Sequence, residues 1–152
     1  MAAIEYRAAV PSDSGAIRLC VARAYASALG AIADLPDVTS GIEQDITKHN
    51  VTVAEVDEQI LGVIIFDEVS DAIMIFNLAV APEGQGRGIA RRLLEVAETT
   101  ARDCSFSLLR LRTHKLMRDT RSIYRHLGWF EVAQTENSVL LEKPVARLVA
   151  EQ

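Results

Sequence analysis

The sequence is poor in the residues that mark special classes of protein. Two of its 152 residues are cysteines, four are prolines, and aromatic residues make up 5%. Cys20 and Cys104 stand far apart without Cys-x-x-Cys or Cys/His spacing, so we expect two reduced, buried thiols and no metal site. No apolar run reaches the roughly 18 residues that a membrane-spanning helix needs. The first residues lack the basic and apolar regions of a signal peptide, so we expect a cytoplasmic protein without a membrane segment.

The composition that remains is ordinary for a globular domain, with 49% hydrophobic and 24% charged residues. The length suffices for one domain with a sizeable core. Hydrophobic periodicity predicts the order β-α-α-β-β-β-α-β-α-β-β, which is typical of a mixed α/β domain. We expect this domain to cover residues 1–143 and residues 144–152 to form a short C-terminal tail. The strand Ala72–Val80 is nearly all apolar, which predicts a central position covered on both faces.

The net charge of −5 is unevenly distributed along the chain. Residues 1–83 carry a net charge of −9, whereas residues 84–152 carry +4. Residues 110–126 alone hold six basic side chains and one acidic one. Charge runs are usually solvated faces, and a basic segment with one aromatic residue offers little base stacking, so we do not expect a nucleic-acid partner. The distribution also fits a bipartite surface, with an anionic ligand on the C-terminal half and a cationic one near the N-terminal half.

A glycine-rich loop joins the apolar strand to an amphipathic helix predicted over Gly88–Arg102. Gly84, Gly86 and Gly88 alternate within this loop. Glycine permits positive φ and close approach of the backbone, and a helix start presents unpaired N–H groups at the positive end of the helix dipole. The loop therefore predicts a phosphate or pyrophosphate site. Its spacing matches neither the dinucleotide fingerprint nor the P-loop, because Ile and Ala follow Gly88.

Two motifs resemble those of the GNAT superfamily of N-acetyltransferases. Gln85-x-x-Gly88-x-Ala90 is similar to the family's pyrophosphate loop, Gln/Arg-x-x-Gly-x-Gly/Ala. Tyr124-x-x-Leu127-Gly128-Trp129 is similar to a second signature, in which a tyrosine is followed by Leu-Gly and an aromatic residue. The resemblance extends to the order of elements along essentially the whole chain. It implies a single-domain, GNAT-like α/β fold with a mixed sheet of six or seven strands flanked by about four helices.

The resemblance also implies acetyl-CoA as the co-substrate, without a metal, and assigns roles to residues. The backbone amides that hold the pyrophosphate would be those of Gln85, Gly86, Arg87, Gly88, Ile89 and Ala90. The strand end that pairs with the pantetheine arm and polarises the thioester carbonyl would be Leu78, Ala79 and Val80. Tyr124 would protonate the departing thiolate. Many relatives carry an Asn shortly before this tyrosine; this chain has none there, and Thr120 offers a hydroxyl in its place.

The general base cannot lie on the central strand, because Asn77 is its only strongly polar residue and an amide cannot accept the proton. A relay of water molecules is our first expectation, with Asp67 or Glu68 after the preceding strand and His114 after the next as the candidate side chains. Neither cysteine stands near the motifs, so we expect no covalent enzyme intermediate. Four carboxylates fall where the family binds its acceptor, which favours a cationic one: Asp34, Asp37, Glu43 and Asp45.

These features together predict an N-acetyltransferase that moves the acetyl group of acetyl-CoA to a primary amine by direct attack in a ternary complex. The acceptor would be a small-molecule or peptide amine, and the protein a monomer or a homodimer. Two alternatives remain at this point. One is a catalytically silent CoA-binding regulatory module. The other is a toxin-type acetyltransferase acting on aminoacyl-tRNA, which the basic segment 110–126 would suit.

Overall fold

The computed structural model describes residues 3–32 and 39–145. Within them, the strands are β1 (Glu5–Ala8), β2 (Asn50–Val56), β3 (Gln59–Val69), β4 (Ala72–Val80), β5 (Leu108–His114), β6 (Phe130–Gln134) and β7 (Ser138–Pro144). The α-helices are α1 (Ser14–Ala31), α2 (Ile42–Lys48), α3 (Ile89–Asp103) and α4 (Arg118–His126). Short 3-10 turns, Pro11–Asp13 and Pro82–Gly84, lie just before α1 and α3. Most of the tail expected over 144–152 lies outside the described residues, and Pro144 itself ends β7.

The strands form one mixed sheet in the order β1-β2-β3-β4-β5-β7-β6. β4 and β5 run parallel, whereas the pairs β1–β2, β2–β3, β5–β7 and β6–β7 are antiparallel. The β2–β3 hairpin turns through Asp57 and Glu58, whose φ angles of 52° and 66° suit a two-residue hairpin turn. A parallel pair needs a longer crossover, and α3 lies in the connection from β4 to β5. The predicted fold class is therefore confirmed, with seven strands and four α-helices in the described part of the chain.

Contacts divide the chain into two compact units. The first comprises residues 1–66 and 77–96, and the second residues 67–76 and 97–152. The net charge divides between them as −4 and −1, counted over the sequence. The sequence halves with charges of −9 and +4 are therefore not the units into which the chain folds.

In the first unit, a glycine in β3 brings α3 against the sheet. Gly62 lies in the run of β3 that is buried from Ile60 to Phe66. A Cβ atom at Gly62 would come within 2.5 Å of Ile89 Cγ2 and 3.3 Å of Leu93 Cδ1. Ile89 is 1% exposed and begins α3. The absence of a side chain at Gly62 thus lets the first turn of α3 rest directly on β3.

Three local expectations are wrong. β3 continues to Val69, so Asp67 and Glu68 are strand residues and not part of a turn. The apolar β4 was expected to be covered on both faces, but Phe76 is 48% exposed. Successive side chains of a strand point to opposite faces, and Phe76 points away from the face that buries Ile73 and Ile75. Cys104 is exposed just after α3, whereas Cys20 is buried in α1 as expected.

Among the described residues, no helix has the length and apolarity needed to cross a bilayer.

We predict that Gly62→Ala destabilises the protein by about 1–3 kcal/mol, because the new methyl group overpacks the contact with Ile89. The free energy of unfolding, measured by urea denaturation, checks this. Gly30→Ala is the matched control, since a Cβ atom at Gly30 meets nothing within 4 Å and alanine favours a helix. Equal unfolding midpoints for the two variants would contradict the close packing.

Candidate active site

The loop between β4 and α3 is anchored to the sheet at its start. Ala81 N–H donates to the carbonyl of Leu61 on β3 at 2.9 Å. The 3-10 turn that follows is closed by a bond from Gly84 N–H to the Ala81 carbonyl at 2.8 Å. The entry to the loop is therefore fixed by backbone hydrogen bonds on both sides of Ala81.

The three alternating glycines have different roles. Gly84 is buried, and a Cβ atom there would lie 2.9 Å from Ile89 Cδ1 and 3.1 Å from Val80 Cγ1. It allows close packing and lacks the positive φ angle. Gly86 and Gly88 both have a φ of +78°, and a Cβ atom on either would meet nothing within 4 Å. These two glycines supply the left-handed conformation and the open backbone that the sequence predicted for the whole loop.

The loop leads directly into the amino end of α3. The carbonyl of Gly88 accepts the N–H of Arg92 at 3.1 Å, which places Gly88 at the cap of the helix. The N–H groups of the first helical turn have no acceptor within the helix and carry the positive end of its dipole. Arg87 is exposed beside them. This end of the first unit is thus suited to an anion with several oxygens.

Helix α1 contacts the same loop from another direction. Arg23 donates from Nη2 to a carboxylate oxygen of Glu83 in the 3-10 turn, and this ion pair lowers the pKa of Glu83. Cys20 is 2% exposed, and its burial raises the pKa of the thiol to about 11, although the Ala81 amide acts in the opposite direction. The thiol therefore stays protonated at neutral pH and is a poor nucleophile.

In the second unit, Tyr124 lies in the last turn of α4 and is 8% exposed. The helix ends in a Schellman motif. Trp129 N–H donates to the Tyr124 carbonyl at 3.0 Å, Gly128 N–H donates to the Arg125 carbonyl at 3.2 Å, and Gly128 has a φ of 96°. The Trp129 ring meets the Tyr124 ring edge-on, with centroids 5.4 Å apart. The Leu-Gly-Trp part of the motif therefore fixes the Tyr124 backbone and ring.

Thr120 is half-buried in the first turn of α4, the helix that also carries Tyr124. Ile123 on the same helix is 57% exposed, and Tyr124 is the buried residue of the helix.

Half of the basic side chains in residues 110–126 are neutralised by ion pairs. Arg121 holds Glu131 with two hydrogen bonds of 2.9 Å, and Arg125 adds a third of 2.8 Å. The Arg121 guanidinium accordingly lowers the pKa of the Glu131 carboxyl. Arg110 Nε contacts Glu142 Oε2 at 2.7 Å. Among the described residues, ion pairs are absent for three side chains of the segment: Arg112, Lys115 and Arg118.

The candidate bases differ in how far their lone pairs are engaged. Asp67 Oδ1 accepts the N–H of Glu68 at 2.8 Å, and Glu68 itself is exposed. His114 Nδ1 accepts the N–H of Leu116 at 3.1 Å. A neutral histidine that accepts at Nδ1 carries its hydrogen at Nε2. The Leu116 N–H therefore engages the Nδ1 lone pair of His114 in this arrangement.

The carboxylates of the expected acceptor region are only partly described. Glu43 pairs with Arg18 at 2.9 Å. Asp45 is half-buried, and burial raises the pKa of its carboxyl. Asp34 and Asp37 lie outside the described residues. No group of three or more His, Cys, Asp or Glu side chains suited to a metal ion occurs in the described ranges.

Sequence reasoning singled out the loop and Tyr124 as candidates but missed the residues that pack against the loop. Gly62 stands inside an apolar strand pattern, and an isolated glycine there is a signal of close backbone approach. The contact of Arg23 with Glu83 joins residues 60 positions apart, for which the sequence carries no signal.

The fold and the motifs agree with comparisons to known proteins. The family model of the acetyltransferase (GNAT) domain matches residues 47–131, more than half of the chain. Among curated proteins, none matches this sequence significantly.

Solved structures with the same fold share little sequence with this chain. PaiA N-acetyltransferase from Thermoplasma acidophilum in complex with coenzyme A has a TM-score of 0.83 at 18% identity, over 93% of this chain and 99% of that one. The ribosomal-protein-S18-alanine N-acetyltransferase from Escherichia coli has a TM-score of 0.77 at 17% identity, over 96% of both chains. A GNAT acetyltransferase from Staphylococcus aureus reaches 0.81 at 12% identity, over 95% of this chain and 100% of that one. The match of the family model, together with this shared fold, shows that the chain belongs to the GNAT family of acetyltransferases.

Proposed function

We propose that this acetyltransferase moves the acetyl group of acetyl-CoA to a primary amine, by direct attack of the amine on the thioester in a ternary complex. One observation carries the proposal: two exposed glycines with φ of +78° lead from the end of β4 into the first turn of α3. The crystallised PaiA enzyme, which shares the fold, was solved with coenzyme A. The acceptor is a small-molecule or peptide amine.

The loop fits the pyrophosphate of acetyl-CoA. The space beside Gly86 and Gly88 is open where any other residue would place its Cβ atom. Backbone N–H groups of residues 85–90 and the exposed Arg87 side chain would hold the phosphate oxygens, since both favour anions at a helix start. Acetyl-CoA supplies an activated acyl group in its thioester.

The end of β4 would hold the pantetheine arm. The ladder between β4 and β5 joins Ile73–Ile75 to Leu109–Leu111, and Leu78, Ala79 and Val80 continue β4 past this ladder. Their backbone groups would pair with the amides of the arm, as one strand pairs with another. A backbone N–H there would stabilise the negative charge that develops on the carbonyl oxygen during attack.

Tyr124 would be the general acid. As the new bond from nitrogen to carbon forms and the carbon–sulfur bond breaks, the Tyr124 hydroxyl would donate its proton to the departing thiolate. The cap at Gly128 and the edge-on contact with Trp129 support this role, because they fix where the ring lies. Thr120, one turn earlier on α4, would contribute its hydroxyl to the binding of coenzyme A.

The proton of the attacking amine would leave through water. The engaged Nδ1 of His114 and the exposed position of Glu68 support this route. The protonated Cys20 thiol supports direct attack without an acyl-enzyme intermediate. Catalysis would then depend on positioning and on stabilisation of the developing oxyanion.

We predict that Gly88→Val lowers the affinity for coenzyme A by at least about tenfold, because a β-branched residue is strained at positive φ and would crowd the phosphate site. Isothermal titration calorimetry with coenzyme A measures this. Gly15→Val, at another glycine whose surroundings are open, is the control for a valine on the surface. Unchanged affinity in a folded Gly88→Val protein would remove the main support for the proposed function.

We predict that Tyr124→Phe lowers kcat by about 10²-fold with little change in the affinity for acetyl-CoA, since only the proton donor is lost. Release of free thiol, followed with a panel of amines, measures the rate. Tyr6→Phe is the control, because it also removes a phenol hydroxyl while keeping the ring that packs under Arg92. Wild-type turnover in the Tyr124 variant would leave Tyr124 with a packing role alone.

We predict that Gly128→Ala destabilises the protein by about 1–2 kcal/mol, because alanine is disfavoured at positive φ. If the cap positions Tyr124, kcat falls as well while KM for acetyl-CoA stays the same. Thermal unfolding and steady-state kinetics separate the two effects. An alanine at Gly30 serves as the reference, and a stability loss without any fall in kcat would show that the cap is structural only.

A further inference from the structure

The second unit contains a four-strand part of the sheet with two unlike faces. Cross-strand register places Leu109, Leu111, Val139 and Leu141 on one face, where each is at most 3% exposed. The other face carries a row that crosses four strands, one residue from each: Met74, Arg110, Glu142 and Phe130. The next row on that face contains Arg112 and Leu140. We call the face defined by these six residues the open face.

The helices of this unit attach to the buried face. Lys143 pairs with Leu109 in the register and contacts Glu98 of α3 at 2.6 Å. Glu131 pairs with Leu141 and binds Arg121 of α4. Within the described residues of this unit, no ion pair joins a helix to a residue of the open face. Phe130 is accordingly 62% exposed.

The row Met74, Arg110, Glu142 and Phe130 is complementary in charge to the same row in reversed order. From β4 to β6 the row is apolar, cationic, anionic, apolar. At its centre, Arg110 Nε contacts Glu142 Oε2 at 2.7 Å, and both side chains are less than 30% exposed. Reversing the row exchanges cation for anion and leaves an apolar residue at each end.

We propose that the open face is the surface through which two copies of this chain associate, as a two-fold symmetric dimer with sheet packed on sheet. The axis lies between the sheets and parallel to β5 and β7. This symmetry reverses the row, so Arg110 faces Glu142 of the second copy and Met74 faces its Phe130. A two-fold axis along the row would instead place Arg110 against Arg110 of the second copy. That arrangement is excluded because like charges in contact are unfavourable. A two-fold interface uses the same patch on both chains.

Charge and area set the strength of this association. The second unit carries −1 of the chain's net charge of −5, so repulsion between two such faces is small. Four strands spaced about 4.8 Å apart and about seven residues long present roughly 450 Å² per copy. This is below the approximately 800 Å² per partner of a standard stable interface. The dimer is therefore reversible and depends on protein concentration.

Sedimentation velocity of the full chain, from about 5 to 500 μM, tests the proposal by measuring the dimer dissociation constant. Phe130→Glu raises this constant at least tenfold, because it buries a charge against Met74 of the second copy. Glu142→Arg does the same, because two cations then face each other in each half of the interface. The exchange Arg110→Glu with Glu142→Arg restores self-association, and the exchanged chain does not pair with the wild type.

Leu19→Glu is the matched control, because Leu19 lies on α1 in the first unit and is 61% exposed, almost the same as Phe130. It leaves the dissociation constant unchanged. Circular dichroism establishes that each variant is folded. A wild-type chain that stays monomeric throughout the concentration range overturns the proposal. So does a dimer that Leu19→Glu weakens as much as Phe130→Glu, or one that the exchanged pair does not restore.

Discussion

The contact between Ile89 and the backbone of β3 is the constraint on which the loop geometry depends. Helix α3 can start beside the sheet because Gly62 has no side chain to hold it away, and Gly84 allows the preceding turn to pack against the same isoleucine. With Ile89 fixed, Gly86 and Gly88 must carry the chain around in the left-handed conformation, and their backbone faces outward. The proposed anion site would therefore be a consequence of the close packing beneath it, with its N–H groups held in place by the core.

At the end of α4, too, the same residues have two structural roles. The residues after Tyr124 form a helix cap, and this cap is also what sets the position of the tyrosine ring against Trp129. One short motif therefore ends a helix and orients the side chain proposed as the acid. In the loop and at this cap alike, glycine at positive φ changes the direction of the chain next to residues of the proposed site.

The distribution of charge along the sequence differs from the distribution of charge on the folded surface. The basic segment 110–126 would suit an anionic polymer, but Glu131 and Glu142 from later strands pair with Arg121, Arg125 and Arg110. These ion pairs leave a mixed pattern of charges instead of a cationic patch. On the open face this pattern is ordered, and the order is what makes the surface complementary to itself.

The sequence by itself determined the order of elements, the β4 strand, the glycine-rich turn and the Tyr-x-x-Leu-Gly-Trp cap, because each of these follows from residues close together in the chain. Periodicity, glycine and helix-end signals act over a few residues. Tertiary structure alone decided that Gly84 serves packing while Gly86 and Gly88 serve the backbone turn, that Phe76 and Cys104 are exposed, and that β3 runs on to include Asp67. Those outcomes depend on which distant residues come into contact, such as Ile89 with Gly62 or Glu131 with Arg121, and a single sequence contains no local signal for such contacts.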